Sequence, residues 1–94
     1  MVEIVLSQSA WDDLNSITDY IALDSTRYAQ EFSLKVFERI EQLKDFPISG
    51  KKVPEFNNSE IRELILGKYR IVYRLYTSSK IVVLRLVHGA KLID

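Results

Sequence analysis

Three arginines and one histidine are the residues whose types and spacing could do chemistry in this chain. Arg70 and Arg74 lie four apart in a run of β-forming residues, so an extended backbone puts them on one face. Arg85, in the next apolar run, is expected to join them. Three guanidiniums in one patch repel one another, and an anionic partner held by bidentate, charge-assisted bonds is one way to stabilise them. A solvated face with local carboxylate pairs is the other reading. His88, the single histidine, could act as a general acid–base, since its unperturbed pKa is about 6.5. It could equally be a strand-end histidine bonded to backbone. Lys91 follows it in a short tail over residues 88–94.

The element that must position these groups is the stretch 61–75, IRELILGKYRIVYRL. It reads as two strands joined at Gly67-Lys68, because Ile, Val, Tyr and Leu suit a pleated surface and glycine supplies the positive φ of a two-residue turn. If Leu66 faces Tyr69, then Ile65 faces Arg70, Leu64 faces Ile71 and Glu63 faces Val72. Leu64, Tyr69, Ile71, Tyr73 and Leu75 form a core face. The other face holds Ile61, Glu63, Ile65, Arg70, Val72 and Arg74, and Val83 is expected to share it. Apolar residues mixed with cations on an exposed face mark a surface that meets something. Arg62 falls on the core side near Tyr73, where it requires a carboxylate, and is read as structural.

The remaining chain supplies a support for that sheet. Residues 2–6 read as a short strand. Ser7 or Ser9 can cap a helix over about 8–23, with Asp12 and Asp13 in its favoured first turn. Ala10, Leu14, Ile17 and Ile21 form its apolar stripe. Asp24-Ser25-Thr26 restarts the chain, and Ala29, Phe32, Val36, Ile40 and Leu43 make a second stripe over about 25–45. So short a link predicts a helical hairpin. Pro47, Gly50 and Pro54 keep residues 46–59 as a loop, with Lys51 and Lys52 solvated. A last strand runs over 80–87. Helices followed by strands, in the order βααβββ, give an α+β class with the hairpin packed on a small antiparallel sheet. Leu14, Ile17, Ile21, Phe32, Val36, Ile40, Leu64, Ile71, Tyr73 and Leu84 are expected to be buried.

Ninety-four residues suit one domain over 1–94 with a single core. No apolar run reaches membrane-spanning length, and the start is not that of a signal peptide. The lack of cysteine excludes disulfides and fits a reducing, cytoplasmic setting. There is no second histidine for a metal site, and no P-loop, dinucleotide fingerprint or Ser/His/Asp set, so no cofactor or metal is expected. Net charge is zero but unevenly spread: residues 1–46 hold four Lys/Arg against nine Asp/Glu, residues 60–94 seven against three. Bulk charge therefore does not favour non-specific nucleic-acid binding, although a local basic face is possible.

The motif IRELILGKYRIVYRL, with VPEF before it and VHGAKL after it, resembles the ParE/RelE superfamily of bacterial toxin–antitoxin toxins over nearly the whole chain. The resemblance implies a cytoplasmic protein with two helices on a small sheet and an antitoxin partner in a hetero-oligomer. The antitoxin's C-terminal segment would carry acidic residues and an apolar anchor for the Ile/Val/Arg face. The superfamily holds both ribosome-dependent mRNA nucleases and inhibitors of DNA gyrase. Nuclease members present Lys or Arg from the strand before the YR motif, where this chain has Glu63 and Ile61 or Ile65. A carboxylate and isoleucines cannot stabilise a phosphate in which charge develops. Arg70 matches the nuclease arginine, but ParE-type members keep it as well. The tyrosine found near the C-terminus of some nucleases has no counterpart before Asp94. The ParE-like, gyrase-binding branch is therefore expected. Arg70, Arg74, Arg85, His88, Lys91, Ile61, Ile65 and Val72 would be its target- or antitoxin-binding residues, and His88 and Arg70 would be catalytic only in a nuclease. A protein-binding module outside toxin–antitoxin systems is a third reading.

Overall fold

The structure, a computed structural model, describes residues 2–91. Residues 92–94 of the tail lie outside the described residues. Two amphipathic helices follow a first strand, β1 (Glu3–Leu6). The Ser7 hydroxyl accepts a bond from the Ala10 amide and starts α1 (Gln8–Ala22); Ser25 does the same for Tyr28 and starts α2 (Thr26–Gln42). Serine caps of this kind contribute about 1 kcal/mol each. Both helices fall within the expected spans.

The other strands are β2 (Lys51–Lys52), β3 (Ile61–Leu66), β4 (Tyr69–Thr77) and β5 (Lys80–His88). They form one sheet in the order β1-β5-β4-β3-β2, antiparallel except where β1 runs parallel to β5. The fold is α+β, two helices packed on a mostly antiparallel five-stranded sheet. Two features were not foreseen: the parallel β1–β5 pairing, and the two-residue β2 in which Lys51 and Lys52 join the sheet instead of standing in a free loop. The β3–β4 register is the expected one, Leu66 opposite Tyr69 through Ile61 opposite Arg74. Gly67 at the turn has φ 57°, a conformation that favours glycine.

One sheet face meets the helices. Leu14, Val36, Ile40 and Leu43 pack there against Leu64, Ile71, Tyr73, Ile81, Val83 and Leu86. Val83 is thus in the core, not on the outer face. Ile17 and Phe32 line the edge of this core, and Ile21 and Leu84 are only half-buried. Leu84 departs from the expectation because a bulge interrupts the ladder: Val72 pairs with Arg85 but Tyr73 pairs with Val83, so Leu84 has no opposite residue. No helix among the described residues is long and apolar enough to cross a membrane.

Tyr73 fastens the connection after α2 to the sheet. Its ring is fully buried, its hydroxyl donates to the Pro47 carbonyl (2.9 Å), and the Gly50 amide donates back to that hydroxyl (2.9 Å). A Cβ on Gly50 would lie 2.5 Å from the Tyr73 hydroxyl and 2.7 Å from the Glu63 carbonyl oxygen, so the close approach requires glycine. Arg62 bonds the Gly50 carbonyl from the same side (2.9 Å). Its partner is thus a backbone carbonyl and not the helix carboxylate expected.

Removing only the Tyr73 hydroxyl, by Tyr73→Phe, leaves the buried Gly50 amide and the partly buried Pro47 carbonyl without this partner and should cost about 1–3 kcal/mol in urea unfolding at neutral pH. Burial pushes the Tyr73 phenol above its ordinary pKa, against the opposing Gly50 bond and the Arg62 charge. Its stabilising contribution is therefore complete below about pH 10, the unfolded value, and is lost as pH rises through the higher folded value. Tyr73→Phe should flatten this part of the alkaline decline; an identical decline in both proteins would remove Tyr73 as its cause.

Candidate functional site

The hairpin register places Arg70 opposite Ile65 and diagonal to Glu63 on the face away from the helices. That face is not open. The loop before β3 folds across it, and Arg70 is 6% exposed and Glu63 3%. The Arg70 guanidinium donates from Nε to Glu63, from Nη1 and Nη2 to the two oxygens of Glu55 (2.7 and 2.8 Å), and from Nη1 to the Lys91 carbonyl (3.2 Å). Lys51 Nζ stands 3.8 Å from Glu63. Two cations thus meet two carboxylates. The Glu55 bonds, reinforced by Glu63, hold the guanidinium in its charged form more firmly than an ordinary arginine, although burial works against them.

This arrangement corrects the expected exposed Ile/Val/Arg surface. Val72 is buried, Ile61 half-buried, and only Ile65 is exposed. The three arginines do not form one patch. Arg85 donates from Nε and Nη2 to Asp13 of α1 (2.7 and 3.1 Å), and the same carboxylate accepts from the Leu86 amide (3.0 Å). Beyond the end of β1 the edge of β5 is thereby sealed by Asp13, by the Ser7 amide bonding Val83 and by the Ser7 hydroxyl bonding Leu84. Arg74 stands at the far end of β4, 3.6 Å from Glu60 and beside the Tyr76 ring.

His88 is opposite Tyr69, one position along from the pair Arg70–Val87, so its side chain belongs to the other face of the sheet from Arg70. Its ring meets Tyr69 edge-on at 5.8 Å, and its Nδ1 accepts from the Ala90 amide (3.2 Å). This matches the strand-end, backbone-bonded reading. The Lys91 side chain is exposed, and its carbonyl supports Arg70. His88 and Arg70 are not brought together as an acid–base and a phosphate-binding cation.

The broad apolar surface lies on the helical side. Trp11 and Phe37 meet with their rings tilted and centroids 6.0 Å apart, and are 42% and 40% exposed; Leu34 is 64% exposed. A groove of about 520 Å³ runs between β1 and α2, lined by Val2, Ile4, Leu6, Phe37 and Ile40 with Glu3, Glu41 and Lys44 at its rim. It continues along α2 past Leu34, Glu38 and Asp45, with Phe37 and Glu41 shared. Leu34 and Phe37 lie off the stripe that α2 buries, and the packing of α1 on α2 brings Trp11 beside Phe37.

The Arg70 cluster makes a stability test. Arg70→Ala would strand two carboxylates in a buried position and should cost about 3–5 kcal/mol in denaturant unfolding. Arg70→Lys should recover only part of it, because an ammonium cannot reproduce the two-pronged contact with Glu55. Equal stability of wild type and Arg70→Ala would mean that the loop carrying Glu55 does not hold the sheet face in solution.

Comparison with known proteins places this geometry in a family. The family described as "ParE toxin of type II toxin-antitoxin system, parDE" matches residues 4–93. A search of curated protein sequences found no match. Among solved structures, a chain of the chromosomal ParDE system from P. aeruginosa superposes with a TM-score of 0.74 at 22% identity, covering 94% of this chain and 96% of that one. A chain of the RelBE2 toxin–antitoxin complex from Mycobacterium tuberculosis gives 0.60 at 18% identity, covering 93% and 96%. A conserved hypothetical protein from Helicobacter pylori gives 0.58 at 18% identity, covering 99% and 100%. These likenesses establish the shared fold, and the match over residues 4–93 establishes the family: this chain belongs to the ParE toxins of type II toxin–antitoxin systems.

Proposed function

We propose that this toxin arrests growth by binding DNA gyrase, without cutting RNA, and that a cognate antitoxin neutralises it in a hetero-oligomer. The observation that carries the first half is the engagement of Arg70. A guanidinium held by Glu55 and Glu63 is not available to stabilise a cleaving phosphate, which needs donors aimed at the developing charge. His88, on the opposite face, supports the same reading. ParE family membership favours a binding toxin over a nuclease.

The antitoxin is assigned to the helical side. Trp11, Leu34 and Phe37 offer apolar anchoring, and Glu38, Glu41 and Asp45 border it. An amphipathic helix with a basic polar face suits such a groove. This replaces the acidic segment expected for the Arg70 face, whose cations already have carboxylates. The ParDE and RelBE2 neighbours come from toxin–antitoxin systems, which supports an antitoxin for this chain.

Two measurements test the halves. The purified protein should inhibit gyrase-catalysed supercoiling, and His88→Ala should weaken that inhibition by no more than the loss of one hydrogen bond, about 1–2 kcal/mol. Site-specific cuts in ribosome-bound mRNA that fall roughly 10²–10⁴-fold in His88→Ala would replace this reading with the nuclease one. Phe37→Glu should weaken antitoxin binding roughly tenfold or more, as loss of an anchor does; unchanged affinity would move the antitoxin off the groove.

A further inference from the structure

The end of the sheet opposite the Gly67 turn carries a second surface that neither the Arg70 cluster nor the helical groove explains. Its centre is Tyr76. The β4–β5 ladder passes from Leu75–Ile81 directly to Thr77–Lys80, so Tyr76 is an extra residue turned out of the pairing. Bulges of this kind re-aim a side chain. The ring is 56% exposed and stands between two cations: the Arg74 guanidinium carbon is 5.6 Å from its centroid and Lys80 Nζ 5.7 Å. Such contacts hold long, flexible cations in place before any partner arrives, which lowers the ordering cost of binding. Among the described residues Lys80 makes no ion pair, and the one carboxylate near Arg74, Glu60, is 3.6 Å away and half-exposed.

An apolar wall completes the surface. Ile48, 68% exposed, shares a groove of about 420 Å³ with Leu75 and Tyr76, and Glu60, the carboxylate near Arg74, also lines it. The turn that bears Ile48 is fixed, because its neighbour Pro47 is bonded by the buried Tyr73 hydroxyl. Tyrosine and arginine beside an exposed aliphatic side chain on a rigid base is the composition of an interface anchor. The positive charge around the ring selects an acidic counterpart.

We infer that the bulged Tyr76, flanked by Arg74, Lys80 and Ile48, docks an acidic segment with an apolar anchor on the protein that this toxin arrests, apart from the helical groove assigned to the antitoxin. The inference rests on the proposed toxin activity for the role of that partner, and not on the partner being gyrase.

The test is to express wild type, Tyr76→Ala, Lys80→Glu and Lys80→Arg without antitoxin, at matched protein levels, and to measure growth arrest, antitoxin affinity and Tm. Tyr76→Ala and Lys80→Glu should each require roughly tenfold or more protein for the same arrest. Lys80→Arg should behave as wild type, and antitoxin affinity and Tm should not change in any of them. Full arrest by Tyr76→Ala and Lys80→Glu overturns the inference. So does a loss of antitoxin affinity in their place, which would give this surface to the antitoxin, and so does a wild type that arrests nothing. Should Tyr76→Ala lower Tm, Lys80→Glu against Lys80→Arg decides alone. Binding of a labelled single-stranded oligonucleotide that Tyr76→Ala abolishes would also overturn it, by making the partner a nucleic acid. The gyrase reading fails separately: wild type would arrest growth without inhibiting supercoiling, while Tyr76→Ala still relieved the arrest.

Discussion

A guanidinium on a buried sheet face costs several kcal/mol in lost hydration unless every donor finds a charged or polar acceptor. Each of the three Arg70 nitrogens finds such an acceptor, from three separate parts of the chain: Glu63 on the neighbouring strand, Glu55 on the preceding loop and the Lys91 carbonyl after β5. The arrangement depends on register. Glu63 reaches Arg70 only as its diagonal neighbour across the hairpin, and a slip of one residue would turn it to the helical face. The turn at Gly67 sets the register, the register sets the ion pair, and the ion pair brings the loop over the sheet. Lys51, carried on β2 beside Glu63, gives the cluster a second cation against its second carboxylate.

Two interruptions of the β4–β5 ladder shape what remains outside. At Leu84 the extra residue lets Arg85 and Leu86 shift toward the free edge of β5, where the Asp13 carboxylate joins them to α1. That contact fixes the start of α1 on the sheet and hence the place of Trp11, four residues after its cap. At Tyr76 the extra residue turns an aromatic ring out of the sheet. A strictly regular hairpin would have neither the seal at one edge nor the ring at the end.

Much of the fold was legible because it is local. Period-two alternation in residues 61–75 and a two-residue glycine turn gave the correct pairing for every residue of β3, and the apolar stripes gave both helices. The errors share a physical origin. Ile65, Val72 and Arg70 were placed on the correct face, but the cover over that face is a loop of Pro, Glu and Asn residues with no periodicity to announce it. Arg85 was expected in an exposed patch and Arg62 beside a helix carboxylate; their partners, Asp13 and the Gly50 carbonyl, lie 72 and 12 residues away, beyond any local pattern. Leu84 and Val83 were misassigned because the extra residue Leu84 breaks the alternation between Val83 and Arg85, and nothing in KIVVLRLVH marks where it falls.

The same contacts decide what the uneven charge of the chain means. A strand half with seven Lys/Arg against three Asp/Glu suggests a nucleic-acid footprint when read as a total. Three of those seven are committed in the folded protein: Arg70 to Glu55 and Glu63, Arg85 to Asp13, and Arg62 to the Gly50 carbonyl. Phosphate binding draws on cations free to displace the counterions of the nucleic acid, so committed arginines add little to it. Arg74 and Lys80, gathered around one tyrosine, are too few and too localised to follow a nucleic-acid backbone. Meanwhile the acidic excess of the helical half remains outside, with Glu38, Glu41 and Asp45 bordering the apolar groove. The polarity of the folded surface is therefore an acidic, apolar groove on the helices and a small basic, aromatic site at the end of the sheet. Two surfaces of opposite charge and separate position suit two protein partners of opposite charge better than one strand of nucleic acid.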